Sequence, residues 1–301
     1  MTLRIVEPGL CTLLVDGGRP ASRGLGIPLG GAADRQSLAV GNALLGNAAD
    51  AGALEIALHG PTLLADCDLA CVVYGASFSI DCDGKSLPTG TTFTLEAGST
   101  LRIAECSKGV RAYFCLKGGI EARRVMGSVS SLAPLPAGTV LGCTPGRIGN
   151  RFIRLATSLD SNSAVLRVLP GVQSAAFKMM EFFEQEYRVN SAANRMGIRL
   201  SGNPLSCSGS ELASEPVCPG TVQVTSDGQC IILGVDGQTI GGYPKIAQVI
   251  SADLDQLGQL RPDAPVRFTV VSLDEARTLY LKKQSELREW LVRLQTTAVA
   301  S

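Results

Sequence analysis

The chain has 301 residues, 45% of them apolar, with 27 basic and 27 acidic side chains and no formal net charge. That length allows two domains of ordinary size, and that apolar share supplies a sizeable core and excludes wholesale disorder. No basic patch stands out, which argues against nucleic acid or an anionic membrane as main partner, and no run approaches the roughly 20 apolar residues of a spanning helix.

Residues 3–15 read as a strand, a Pro8-Gly9 turn and a second strand. The stretch Met1 to Pro8 has no signal-peptide core, so a cytoplasmic protein is expected, its ten cysteines reduced and without a Cys-x-x-Cys pair. Asp16 to Pro20 form a loop that presents Arg19. Asp34 is placed to cap a helix over 35–45, with Leu38, Asn42 and Leu45 on one face and Gly46 ending it. Glu55 lies in an apolar strand context. His59 is the only histidine. A Ser-His-Asp triad, a multi-histidine metal site and a His-Glu-x-x-His protease would all have to use it, and its place before a turn makes it a strand end; no metal site is expected.

From 62 to 116 the pattern is of short strands between turns, with a hairpin at Asp83-Gly84. Gly84-Lys85-Ser86 is not a phosphate loop, because Ser79 stands where that motif needs glycine and Pro88 prevents a following helix. Residues 133–165 are rich in proline, glycine and serine, and the domain boundary is expected there, giving domains at 1–155 and 156–301. The second half opens with a strand from Leu166. A helix over 173–186 follows, with Phe177, Met180 and Phe183 as core candidates. Gln238, Thr239 and Tyr243 lie in a glycine-rich loop before Lys245, which stands at the mouth of a buried strand carrying Ile246, Ala247, Val249 and Ile250. The plainer alternative is a tight hairpin with Lys245 in solvent. The chain ends on a helix from 273 to about 295, opened by the capping box Ser272 to Glu275, with Ala276, Leu279, Tyr280, Leu287, Trp290, Leu291 and Leu294 on one face.

The halves echo each other. Pro8-Gly9 matches Pro170-Gly171, and Gly26 to Leu29 matches Gly197 to Leu200. Glu55, five residues before Gly60, matches Glu215, five before Gly220; Cys71 to Gly75 matches Cys230 to Gly234. Two related, mainly β domains in tandem are expected, each a barrel, with a site in a cleft between them or against a partner.

These residues resemble a family that includes the C subunit of bacterial 5-oxoprolinase, allophanate hydrolase subunit 2 and the carboxyltransferase portion of urea amidolyase. The matching stretches include Gly18-Arg19-Pro20, Leu54-Glu55-Ile56, Leu169-Pro170-Gly171, Asn194 to Gly197, Leu212 to Glu215, Pro219 to Gln223, and Gly241-Gly242-Tyr243-Pro244 through Asp253. The resemblance implies a mainly β chain of two tandem cyclophilin-like β-barrels with a C-terminal helix, working with a B subunit of related fold and an A subunit. It departs from the family at three places. Val15-Asp16-Gly17 replaces Gln-Asp before Gly-Arg-Pro, Leu29-Gly30-Gly31 replaces Pro-Ser-Gly, and Val129 replaces the arginine of Gly-Ser-Arg-Ser-Thr.

The implied activity is ATP-dependent opening of the 5-oxoproline lactam to glutamate. Phosphorylation of the lactam oxygen would make it reactive, which needs cations on oxyanions and a carboxylate to handle protons. Lys245, Arg195, Glu55 and Glu215 are the expected catalytic residues. Arg19, Asp34, Asn194, Gln223, Gln238, Thr239 and Tyr243 are the expected substrate contacts, though each could be structural. ATP would be bound with or by partner subunits, since no nucleotide loop is present. Two alternatives remain open: carboxyl transfer to urea or another amide from carboxybiotin on a separate carrier protein, and a non-enzymatic regulatory subunit.

Overall fold

The computed structural model describes residues 1–153, 164–208 and 212–298. The expected boundary at 155/156 lies outside them. The chain divides into two compact units. The first takes Met1–Gly18, Gly30–Asp160 and Glu286–Ser301; the second takes Arg19–Leu29 and Ser161–Ser285. Both are built of β-structure.

The first unit contains β1 (Thr2–Glu7), β2 (Cys11–Val15), α1 (Arg35–Leu44), β3 (Ala53–Ala57), β4 (Thr62–Ala65), β5 (Leu69–Cys82), β6 (Lys85–Leu87), β7 (Phe93–Leu95), β8 (Thr100–Leu116) and β9 (Val140–Gly142). They form one nine-stranded sheet in the order β2-β3-β8-β4-β1-β9, with β5 paired to β6, β7 and β8. Over 62–116, where short strands were expected, β5 and β8 are long. They run antiparallel as a ribbon that survives three register shifts, and such irregularities let a long ribbon bend without ending. Asp83 and Gly84 both take positive φ, +49° and +84°, and make the tight hairpin to β6.

Period-two alternation explains how this ribbon builds two cores. Cys71, Val73, Phe114 and Leu116 face one core with Leu3, Ile56 and Leu63. Val72, Tyr74, Tyr113 and Cys115 face the other, where Leu38, Val40 and Leu44 of α1 pack. Asp34 caps α1 as expected, accepting from the Ser37 backbone N–H at 2.9 Å.

The sheet is open between β2 and β9, a half-barrel rather than a closed one. Residues 121–135 line that gap. Glu121 bridges to Gly142 at the β9 edge, and the amides of Ser131 and Leu135 donate to the carbonyls of Leu14 and Thr12 on β2. The exposed strand edge is covered in this way rather than left to pair with another chain.

The second unit contains β10 (Ala164–Pro170), α2 (Met179–Glu184), β11 (Tyr187–Val189), β12 (Gly197–Ser201), β13 (Glu215–Pro216), β14 (Thr221–Val224), β15 (Cys230–Leu233), β16 (Ile240–Gly241), β17 (Lys245–Val249), α3 (Leu254–Leu257), β18 (Pro265–Val270) and α4 (Leu273–Ala298), whose last turns count with the first unit. Seven strands close a barrel in the order β10-β17-β14-β15-β12-β11-β18, and β13 and β16 make a separate pair. The expected helix over 173–186 is only α2 after one 3-10 turn. The later start changes which side chains face inward: Phe182 is fully buried and stacks on Phe268 at 4.6 Å, Phe177 is buried, and Met180 is exposed.

α4 begins with Ser272 capping the Glu275 amide at 3.1 Å. Its apolar face is broken. Ala276 and Leu279 pack with Ile250 and Val271 in the second unit, Leu287, Leu291 and Leu294 pack in the first, and Tyr280 is exposed. Between them Lys283 binds the Asp255 carboxylate at 2.7 Å.

The sequence echo is also imperfect in space. Gly26 to Leu29 is loop whereas Gly197 to Leu200 is strand. β1 pairs with β4, but β10 pairs with β17 rather than with β14, the counterpart of β4. The repeat marks like elements without giving them like neighbours.

Candidate functional site

The site is assembled where β17 begins. β10 pairs with it, and just past the end of β10 the backbones approach so closely that a Cβ on Gly171 would stand 2.1 Å from the Lys245 carbonyl oxygen. That approach lets the Gly171 amide bond Ile246 O at 2.9 Å and puts Gln173 beside Lys245, whose backbone N–H donates to Gln173 Oε1 at 3.0 Å. Gln223 of β14 stands opposite Lys245 in the register, so the two side chains are cross-strand neighbours. Glu215 of β13 pairs with Gly241 of β16. A Cβ on Gly241 would meet the side-chain amides of both Gln223, at 2.5 Å, and Gln238, at 2.8 Å. A side chain at 241 would displace these carboxamides.

Lys245 is 4% exposed, which overturns the hairpin with its lysine in solvent. Its ammonium donates to Glu215 Oε2 at 2.8 Å, and Gln173 Nε2 donates to the same oxygen at 3.2 Å. An ammonium has three donors. Among the described residues only Glu215 accepts from it, so two N–H groups remain for a ligand or water. Burying a charge with a single partner costs several kcal/mol of desolvation, a cost that a purely structural role leaves unexplained.

The Glu215 side chain is 44% exposed. One oxygen is held by Lys245 and Gln173; among the described residues the other, Oε1, takes no hydrogen bond. The Lys245 ammonium first, then Gln173, hold this carboxyl below its usual 4.5. A carboxylate so stabilised is a poor proton acceptor near neutral pH and a good hydrogen-bond acceptor for a substrate N–H.

Beside this cluster lies a cleft of about 900 Å³ whose lining includes Gln238, Tyr243, Pro244, Leu205, Val224 and Asp227. Gln238 therefore belongs to both cleft and cluster. Tyr243 is half exposed, and its carbonyl accepts from Gln223 Nε2 at 3.5 Å.

The other expected residues make the following contacts. Arg195 makes a bidentate pair with Asp236, 2.6 and 3.0 Å, and the Asp236 amide donates to the Arg195 carbonyl at 3.1 Å. Asn194 Oδ1 accepts from the Met196 and Gly197 amides, 2.8 and 3.3 Å. These contacts fix the loop that leads to Gln238. Thr239 is buried and its carbonyl accepts from the Val217 amide at 2.9 Å. Arg19 is also buried, its carbonyl taken by Ser22 Oγ at 2.7 Å.

In the first unit, Glu55 is 2% exposed. Its Oε2 accepts from the Ala33 amide and the Tyr113 hydroxyl, both 2.8 Å, and Arg111 Nε lies 3.2 Å from Oε1. The Asp34 amide donates to the Tyr113 oxygen at 2.8 Å, while both Asp34 carboxylate oxygens hold Ser37. Burial, then the charges of Glu55 and Asp34, push the Tyr113 phenol well up. This network clamps the start of α1 to β3 and β8.

Two features escaped the sequence reading. Gln173 is one; the Pro170-Gly171 turn that places it was visible, but the pairing of β10 with β17 was not. The other is a polar knot around Asp16. Its carboxylate accepts from Gly18 N (2.9 Å), Ser128 Oγ (2.5 Å), Ser130 Oγ (2.7 Å) and Val129 N (2.8 Å). Ala32 N donates to the Asp16 carbonyl, and a Cβ on Gly31 would stand 2.7 Å from that oxygen. Asp16, Gly31 and Val129, from three separate stretches of the chain, thus meet at one place. Val129 is buried in the core.

A family model, Carboxyltransferase domain, subdomain A and B, matches residues 25–270. The chain belongs to this carboxyltransferase-domain family. It is 36% identical to the C subunit of 5-oxoprolinase from Escherichia coli over 291 residues, 91% of this chain and 93% of that one. It is 34% identical to the C subunit of 5-oxoprolinase from Haemophilus influenzae, covering 89% and 91%. Urea amidolyase of Saccharomyces cerevisiae is 26% identical over 92% of this chain, which spans 17% of that protein. The crystal structure of the Kluyveromyces lactis urea amidolyase has the same fold, with a TM-score of 0.87 at 24% identity over 96% of this chain and 20% of that one.

Proposed function

We propose that the chain is the C subunit of an ATP-dependent 5-oxoprolinase and that the Lys245 cluster binds the lactam. The observation that carries the reading is a buried ammonium with two uncommitted donors beside a carboxylate with one uncommitted oxygen. A lactam is a cis amide and presents its N–H and C=O on one side. Glu215 Oε1 accepts the N–H, and the ammonium of Lys245 faces the oxygen, where negative charge grows as the amide is activated. Gln223 and Gln238 orient the ring through their carboxamides, and Tyr243 and Pro244 wall it. Arg195 and Asn194 act through the loop they hold. ATP supplies the phosphoryl group that activates the lactam oxygen, bound with or by A and B subunits in the cytoplasm. The partnership is supported by the relatives' names, which describe subunits.

The test is ATP-dependent glutamate release from 5-oxoproline by this chain co-expressed with its A and B subunits. Loss of turnover in Lys245→Met, with the complex intact, supports the assignment; native turnover in that variant sinks it. A second reading is favoured by the urea amidolyase relatives: carboxyl transfer from carboxybiotin on a separate carrier to urea or another amide. The ureido ring of biotin is also a cis amide. Transfer of labelled carboxyl from free carboxybiotin, without glutamate release, would select it.

A further inference from the structure

Gln173 touches both members of the ion pair, and its orientation is forced. β10 ends at Pro170, opposite Ala247 of β17, so Lys245 lies beyond the last paired residue. Gln173 takes the place of a strand there. Its backbone N–H donates to the Lys245 carbonyl at 3.2 Å, and its Oε1 accepts from the Lys245 backbone N–H at 3.0 Å. A backbone N–H can meet only an acceptor. The carboxamide therefore cannot flip: its oxygen faces β17 and its nitrogen faces Glu215.

The turn that carries Gln173 is also fixed. The Ser174 amide donates to the Gly171 carbonyl at 3.1 Å, the Ala176 amide to the Gln173 carbonyl at 3.0 Å and the Phe177 amide to the Ser174 carbonyl at 3.1 Å. Phe177 is buried in the core of the barrel. Glu215, by contrast, stands half exposed on a two-residue strand. The last torsion of a glutamate is broad, so a carboxylate with one partner is free to turn and exchange its oxygens. Two donors on Oε2, Lys245 Nζ at 2.8 Å and Gln173 Nε2 at 3.2 Å, remove that freedom.

We propose that Gln173 is a positioning residue that locks the Glu215 carboxylate and presents its Oε1 as the acceptor for a ligand N–H. This rests on the reading that the Lys245 cluster is the binding site. The test is Gln173→Glu, which has the same shape and keeps an acceptor for the Lys245 backbone N–H. Ionised, the introduced carboxylate repels Glu215 Oε2; protonated, its O–H donates there as the native Nε2–H does. The charged groups facing the position are Glu215 and, bonded to the same oxygen, Lys245. Two carboxyls that share one proton titrate as a pair with the upper step raised. In the enzyme assembled with A and B subunits, the variant's KM for 5-oxoproline should be at least about tenfold above native at pH 8. It should return towards native as the pH falls to about 5, with kcat changing less and the thermal midpoint of the chain followed at each pH. Native KM at pH 8 overturns the role of Gln173, and so does a defect that low pH does not repair. A second readout needs no activity: the Glu215 carboxyl is titrated by 13C NMR in the purified full chain, its signal assigned by loss in Glu215→Gln. In Gln173→Glu that signal should gain a step above the native one, and in Gln173→Met, which removes the donor, it should move up towards 4.5. An unmoved signal in both variants overturns the role of Gln173 whatever the enzyme does. Moved signals in a native complex that opens no lactam uphold it and overturn only the lactam reading.

Discussion

Glu55 and Glu215 occupy matching places in the two halves of the sequence, and the fold uses them in opposite ways. Glu55 is buried and its oxygens are taken by Ala33, Tyr113 and Arg111. Glu215 stands on a two-residue strand, half exposed, with one oxygen held and the other open. A saturated carboxylate fastens structure, whereas one held by a single oxygen can meet a substrate. The difference comes from the neighbours. β3 lies between β2 and β8 in the sheet, and among the described residues β13 pairs only with β16, outside the barrel.

The comparison breaks most visibly at Glu55. Glu55→Ala leaves Arg111 and the Tyr113 hydroxyl without their carboxylate in the interior. Removing one partner of such a buried network costs about 3–5 kcal/mol, so the midpoint in urea should drop sharply. Lys245→Met should do the reverse. It removes a buried charge, keeps the apolar stem, and leaves a Glu215 that water can reach, so stability changes by less than about 1 kcal/mol. Turnover of the assembled enzyme should fall about 10²–10³-fold, as when a single oxyanion donor is lost. Equal stability losses in the two variants would remove the distinction.

The Asp16 knot is the next largest effect. Asp16→Asn puts an amide where four donors converge and should cost about 1–3 kcal/mol. Burial alone would raise the Asp16 pKa, but the hydrogen bonds of Ser128, Ser130, Val129 and Gly18 outweigh it and hold it below 3.8. A carboxyl depressed in the folded state contributes stability that is fully present above the unfolded value and lost as pH falls through the folded one. The native chain should therefore lose this increment only below about pH 3.8, and an acid titration of the Asn variant should lack that step.

Local chemistry was legible in the sequence where a residue's neighbours lie close along the chain. The Asp34 cap, the Asp83-Gly84 hairpin, the Ser272 capping box and the buried strand after Lys245 all depend on residues a few positions apart. What escaped depends on contacts between distant stretches: Gln173 reaches Lys245 across 72 residues and Ser128 reaches Asp16 across 112. Phe182 was missed because α2 starts six residues later than its apolar pattern begins. Glu55 and Glu215 looked alike because burial is decided by sheet position, which a repeat in sequence does not record.

The smallest effect discriminates best between two roles for Glu215. If it served as general base, activity would fall as pH drops through a value near neutrality, since an effective base titrates close to the working pH. Its carboxyl is instead held below 4.5 by the Lys245 ammonium and Gln173. As an acceptor for the lactam N–H it stays ionised through neutral pH. The kcat/KM of the assembled enzyme should show no limb from Glu215 above about pH 4.5, and Glu215→Gln, which keeps an acceptor oxygen but loses the charge, should retain some activity with KM raised more than kcat is lowered. A limb near pH 6–7 that vanishes in the Gln variant would return Glu215 to the role of base.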